Sequence, residues 1–290
     1  MAITSDWHIH THHSCDSACM DFETLVNSAK ECGITDFGVS DHYHTRLQEQ
    51  DIANGRKEFE KTLEAHPELK GHFHFGIEAT IISEWEIDKI IKGDYVGIKE
   101  APTYGVRIGG PKNAPVTLDF DDEFIEKYGI EYVVSGMHWP MYCDTDRDSL
   151  LKEYHRQYMF AATHPYTTIL AHYMWYDSGL FENLWEIKDA KNPFIDFSTV
   201  PVSMLDELKA ALLECNTAFE VNLEGMILAP SLPDSFKDEY LGWVADLQKS
   251  GVVLSSGSDS HSAALNARDY EESEKLFKHY GIDSSKFFCL

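Results

Sequence analysis

The 290-residue chain sets 49 acidic against 24 basic side chains, a formal charge of −25, and 43% of its residues are hydrophobic. So acidic a surface argues against general binding of nucleic acid or anionic membranes, which need basic patches, and no apolar run is long enough to span a bilayer. The length suits one large domain, an α/β barrel among the choices, or two small ones.

Fifteen histidines are a first compositional sign of metal. The six cysteines, Cys15, Cys19, Cys32, Cys143, Cys215 and Cys289, form no C-x-x-C pair and no zinc-finger spacing. Cys15 and Cys19 flank Asp16 and read as incidental thiols. The opening Met-Ala-Ile-Thr-Ser-Asp has neither the basic nor the apolar part of a signal peptide. A reducing cytoplasm is therefore the expected location.

In chain order, the first predicted strand, 3–9, runs into Asp6-Trp7-His8-Ile9-His10-Thr11-His12-His13-Ser14-Cys15-Asp16. Strands repeat every two residues, so His8 and His10 share a face and can hold one divalent metal. Asp16 can reach the same place from a loop. Residues 21–32 carry a helical stripe of Phe22, Leu25, Val26 and Ala29 behind Asp21 as N-cap. A strand at 34–40, a charged outer helix at 48–66 and a strand at 72–78 follow.

Residues 83–125 break the rhythm with Gly93, Gly97, Gly105, Gly109, Gly110, Pro102, Pro111 and Pro115. A structureless loop of that length is rare. The stretch reads as an insertion with a helix near 84–92 and room for a hairpin, placed over the active-site mouth. Strands at 131–137, 167–172, 217–222 and 252–257 then alternate with helices at 148–163, 201–215, 236–250 and 268–280, and 175–200 is a second irregular stretch. At Gly33, Gly129 and Gly251 an amphipathic run ends in glycine and passes directly into a β-branched strand. Glycine there closes a helix in the left-handed conformation. Seven strands alternating with helices predict an α/β fold with a parallel sheet. No linker marks a domain boundary, so residues 1–290 read as a single domain.

The chemistry collects at the strand ends. The first strand ends in His8 and His10, the second in Ser40-Asp41-His42, the third in Gly76-Ile77-Glu78, and the fourth in Gly136-Met137-His138. The fifth ends in Ala171-His172, the sixth in Glu220-Val221-Asn222, and the seventh in Asp259-Ser260-His261. All but the sixth, which terminates in Asn222, thus deliver His, Glu or Asp at the C-terminal edge, where barrel enzymes build active sites. Buried ionisable groups need partners, and metal supplies them most simply.

These marks, His8-x-His10, Asp16, Ser40-Asp41-His42, Gly76-Ile77-Glu78, His138, His172 and Asp259-x-His261, run in order along nearly the whole chain. Together they resemble the polymerase-and-histidinol-phosphatase (PHP) family of metal-dependent phosphoesterases. The resemblance implies a distorted TIM-like barrel of seven βα units with two or three divalent ions, zinc, iron or manganese, at the C-terminal edge. It assigns His8, His10, Glu78 and Asp259 to a first metal, Glu78, His138 and His172 to a second with Glu78 bridging, and Asp16, His42 and His261 to a third. Asp41 and Asn222 would orient ligands. The expected chemistry is attack by a metal-activated hydroxide on a small-molecule phosphomonoester, with His261 as a candidate proton donor. No Ser or Cys nucleophile sits in a convincing context.

Arg46, Arg107 and Lys112 are the candidate cations to grip phosphate, and Trp139 and Trp175 the candidates to stack on substrate. Histidinol-phosphate phosphatases of this type carry arginines after the fifth and sixth strands. Here Tyr173-Met174-Trp175-Tyr176-Asp177 and Leu223-Glu224-Gly225 offer none. A phosphodiesterase or nuclease, and an amidohydrolase-type C–N hydrolase, are the competing activities. The partner expected is a small phosphate ester, with no membrane and no long nucleic acid.

Overall fold

The computed structural model describes residues 2–16, 18–96, 101–106, 109–140, 142–176 and 192–290. Within them the strands are β1 (Ser5–Asp6), β2 (Asp36–Val39), β3 (His42–Tyr43), β4 (Phe73–Thr80), β5 (Ile82–Ser83), β6 (Val116–Thr117), β7 (Tyr132–Gly136), β8 (Ile169–Leu170), β9 (Ala218–Asn222) and β10 (Leu254–Gly257). Seven run parallel in the order β1-β2-β4-β7-β8-β9-β10, a nearly closed barrel at the seven predicted places. The seam between β1 and β10 is bridged by Ile9 paired with Ser260. Hydrogen bonds add to it, from Trp7 N–H to the Ser256 carbonyl (3.1 Å) and from Asp259 N–H to the His8 carbonyl (2.7 Å).

The helices are α1 (Phe22–Cys32), α2 (Glu49–Ala65), α3 (Glu84–Lys92), α4 (Ala101–Tyr104), α5 (Asp122–Tyr128), α6 (Arg147–Thr163), α7 (Val202–Cys215), α8 (Asp234–Lys249) and α9 (Ala267–Tyr280). Local chemistry explains several boundaries. The Asp21 carboxylate accepts the Thr24 N–H at 2.7 Å and opens α1. Gly33 (φ 75°) and Gly129 (φ 56°) close α1 and α5 in the left-handed conformation. The third expected joint differs slightly, because α8 closes on Ser250 and Gly251 follows at φ 101°. The insertion is bracketed by an antiparallel ribbon, Ile82 paired with Thr117 and Ser83 with Val116, and opens with α3.

Inside the barrel the strands alternate, and the interior changes character from one end to the other. Toward the N-terminal end, Trp7, Tyr132, Val134, Ile169, Ala171 and Ala218 form a separate apolar cluster. A Cβ at Gly38 would lie 2.3 Å from the Tyr132 hydroxyl and one at Gly76 2.5 Å from its ring, so those two glycines make room for it. The C-terminal tail plugs this end: the Trp7 indole donates to the Phe288 carbonyl at 3.0 Å, and the two rings meet edge to face. Two residues further along the same strands, the inward positions become Glu78, Gly136 and Glu220. The larger apolar cluster lies outside, between strands and helices.

Candidate metal centre

β3 is a short continuation of β2, and its pairing with β4 sets His42 opposite Glu78. Glu78 is the hub. Its Oε1 lies 2.8 Å from His172 Nε2 and 3.1 Å from His138 Nε2; its Oε2 lies 2.6 Å from His42 Nδ1, 3.4 Å from His8 Nε2 and 3.5 Å from His10 Nε2. Asp259 Oδ1 is 3.1 Å from His10 Nε2 and 3.5 Å from His8 Nε2. Asp16 Oδ2 lies 3.1 Å from His42 Nε2 and 2.6 Å from His261 Nε2. All nine predicted ligands are therefore brought together, though they come from both ends of the chain. Eight are buried or nearly so, and His261, with 38% of its side chain exposed, stands at the rim.

The surroundings aim the imidazoles. His8 Nδ1 is held by Glu220 Oε1 at 2.6 Å, His10 Nδ1 by the Ser14 hydroxyl at 3.2 Å and His138 Nδ1 by the Thr80 hydroxyl at 2.8 Å, so the Nε2 atoms face inward. Glu220 Oε2 also accepts the His172 N–H at 2.6 Å. Asn222 Nδ2 donates to Asp259 at 3.0 Å, and Asp41 accepts from the backbone and hydroxyl of Thr11 at 2.6 and 2.7 Å. A Cβ at Gly136 would lie 2.7 Å from Glu78 Oε1, and one at Gly257 2.1 Å from Glu220 Oε1, so side chains there would occupy the cluster. His172 (φ 26°) and Asp259 (φ 56°) adopt the left-handed backbone that ordinary residues avoid, a strain typical of functional sites.

Glu220 and Thr80 were not singled out by sequence reasoning. A signal existed: each lies two residues from a recognised position, Asn222 and Glu78, and so on the same strand face.

Charge in the cluster is strongly redistributed. Burial opposes the charged imidazole at His8 and His42. At His8 the carboxylates of Glu220, Asp259 and Glu78 override it, and at His42 those of Glu78 and Asp16 do, pushing both well above the ordinary histidine range. Burial, joined by neighbouring His42, lowers His10 to about 3. Burial also lowers His138 to about 4, against the pull of Glu78. Burial works against charge on Glu78, yet His138, His42 and His8 hold it well below the usual carboxylate range. Protons on His8 and His42 serve to neutralise buried carboxylates, and divalent cations can replace them.

The donors fit such cations. They are imidazole and carboxylate without thiolate, a set suited to zinc, iron or manganese. Glu78 Oε2 and Asp16 Oδ1 are buried without a hydrogen-bond partner, and the first is aimed at the centre of the cluster. Cys15 and Cys19 do not join it; their thiols face the backbone carbonyls of Thr103 and His261.

A cavity of about 410 Å³ opens over the cluster, lined by Asp16, His42, His138, His172, Asp259 and His261 together with His44, Tyr104, Trp139, Trp175, Glu224 and Gly225. Trp139 and Trp175 are thus at the cavity as expected, and Tyr104 comes from the insertion. Arg46 and Lys112, two of the three expected phosphate-gripping cations, are not. Arg46 turns away to buried Asp119, with Nε 3.0 Å from Oδ1, in a different depression. The reason is local: Asp119 also accepts the Arg46 backbone N–H at 2.7 Å, so the pair is fixed at both ends. Lys112 is exposed and paired with Asp144 at 2.6 Å. Arg107 lies outside the described residues. No Lys or Arg lines the cavity among the described residues.

A sequence profile of the PHP domain matches residues 6–221. The chain belongs to the PHP family. The PHP barrel also superposes on solved structures. One is the histidinol phosphate phosphatase HisK from Lactococcus lactis subsp. lactis Il1403, complexed with zinc, L-histidinol and phosphate (TM-score 0.58, 16% identity, 97% of this chain and 95% of that one). Another, from Listeria monocytogenes, carries a provisional histidinol phosphatase designation (TM-score 0.57, 12% identity, 95% and 99% covered). At these identities the likeness is one of fold. No curated protein matches the sequence. No helix among the described residues is long and apolar enough to cross a membrane.

Proposed function

We propose that this PHP protein is a metal-dependent phosphoesterase that hydrolyses a small-molecule phosphomonoester. The observation that carries the reading is the convergence of six imidazoles and three carboxylates in one cluster, with five of the imidazoles within 3.5 Å of Glu78 at its hub.

Two or three divalent ions would be held, the first by His8, His10, Glu78 and Asp259, the second by Glu78, His138 and His172, the third by Asp16, His42 and His261. Zinc, iron and manganese all suit these donors, and the HisK structure from Lactococcus contains zinc. Such ions neutralise phosphate and lower the pKa of water toward neutrality.

The chain's own groups do the rest. Glu220, Ser14 and Thr80 hold Nδ1 of three imidazoles and keep each Nε2 aimed at the cluster. If only two ions bind, His261, the most exposed of the nine, is free to exchange protons with solvent and deliver one to the leaving oxygen; burial opposes its charged form and Asp16 favours it. With no basic side chain at the cavity among the described residues, phosphate binding falls to the cluster itself. Trp139, Trp175, Tyr104 and Glu224 face the remainder of the substrate. Aromatic walls with one carboxylate suit a leaving group that carries positive charge. The L-histidinol bound by the Lactococcus protein is compatible with that.

The test is turnover of a substrate panel, phosphomonoesters followed by release of inorganic phosphate, phosphodiesters by release of the alcohol and amides by release of the amine, with zinc, iron or manganese supplied to demetallated protein. Monoester turnover that requires metal is the expected result. Turnover of diesters or amides alone would overturn the phosphomonoester reading.

A further inference from the structure

A second cluster of ligating groups lies outside the barrel. The turn that follows His10 places His12 and His13 side by side, with ring centroids 4.2 Å apart. Both aim Nε2 at one oxygen of Glu58 in α2, at 3.2 Å from His12 and 2.8 Å from His13. The three ligand atoms all lie within 4.8 Å of one another. None of the three belongs to the nine residues of the buried centre.

The arrangement is built rather than loose. Thr11 is bound through its N–H and hydroxyl to Asp41, and the Thr11 hydroxyl accepts the His13 N–H at 3.2 Å. The His12 N–H donates to the Met20 carbonyl at 2.9 Å. The edge of His13 meets the buried ring of Phe22. Asp51, seven residues before Glu58 on the same helix face, adds negative charge near His13. The side chains keep partial access to solvent, 38% for His12, 15% for His13 and 32% for Glu58.

We infer that His12, His13 and Glu58 form an auxiliary, exchangeable site for a borderline divalent transition-metal ion. Two imidazoles and a carboxylate on one side of an ion leave its other positions to water. Magnesium and calcium, which prefer all-oxygen shells, do not fit this donor set. The bland alternative is a surface carboxylate hydrogen-bonded to two histidines, and it makes a different prediction.

Nickel is the probe. Protein carrying its resident metals is titrated with Ni²⁺ by calorimetry, and tightly bound metal is counted after gel filtration. The wild-type chain should take up one further equivalent of nickel and show a nickel-dependent rise in melting temperature. His13→Asn and Glu58→Gln should each weaken that uptake at least tenfold and abolish the rise, with the tightly bound count unchanged. His12→Asn, at the most exposed ring, keeps the test open should either of the others fold poorly; it should weaken uptake comparably. Equal nickel affinity in wild type and His12→Asn, or no extra equivalent in the wild type, would leave only a hydrogen-bonded corner and overturn the site.

Discussion

The two ends of the barrel are made by the same strands and do opposite things. At one end β7 and β9 turn Tyr132, Val134 and Ala218 inward, and with Trp7 they make a dry plug under Phe288. Two residues later the inward positions are Gly136 and Glu220, beside Glu78 on β4, and the interior is charged. The difference shows how the fold divides labour. The apolar end supplies burial that holds the strands in register, which offsets the cost of gathering three carboxylates and six imidazoles at the other. The left-handed backbones of His172 and Asp259 lie at the charged end.

If that division holds, substitutions at the charged end should cost chemistry and those at the plug should cost stability. The largest effect is expected from removing metal or its hub. Chelation should abolish turnover, and Glu78→Gln should lower kcat by about 10³-fold or more, the worth of several kcal/mol of lost metal stabilisation. Phosphate-release kinetics with metal analysis measure both, and full activity in demonstrably metal-free protein would break the comparison. Tyr132→Ala should act in the opposite way. It empties the plug and should destabilise the fold by about 3–5 kcal/mol, read by denaturant unfolding, while folded protein keeps its metal content.

Glu220→Gln sharpens the boundary, since Glu220 is not an expected metal ligand and acts by orienting His8, His172 and Asn222. Metal affinity or activity should fall about 10- to 100-fold; an unchanged value would mean that the imidazoles are held by packing alone. The smallest kinetic effect is expected at Arg46. Because Arg46 is committed to Asp119 rather than to the cavity, Arg46→Ala should leave kcat/KM within about twofold. It should cost about 1–3 kcal/mol of stability by stripping a partner from a buried carboxylate. A tenfold rise in KM would instead restore Arg46 to the substrate site.

Much of the architecture was legible because its signals are local. Asp21 as a cap, Gly33 and Gly129 as helix ends, and period-two placement of chemical residues at strand ends all depend on neighbours within a few positions. The ribbon pairing Ile82 with Thr117 was legible only as room for a hairpin, since its partners lie 35 residues apart. The cation candidates misled for the same reason. Arg46 follows His42 closely in sequence, but its direction is decided by Asp119, 73 residues away.

What the sequence by itself determined is the inventory: seven strands, the edge at which their acids and histidines emerge, and the nine residues that meet there. Helix caps and strand periodicity are short-range physics, so they can be read without a fold. Only tertiary structure decided which atoms meet: that Glu78 Oε2 is left without a hydrogen bond, that Glu220 aims His8, and that His12 and His13 close on Glu58. These are contacts between distant segments, set by barrel closure and by the space that Gly136 and Gly257 leave open, and no local pattern encodes a distance.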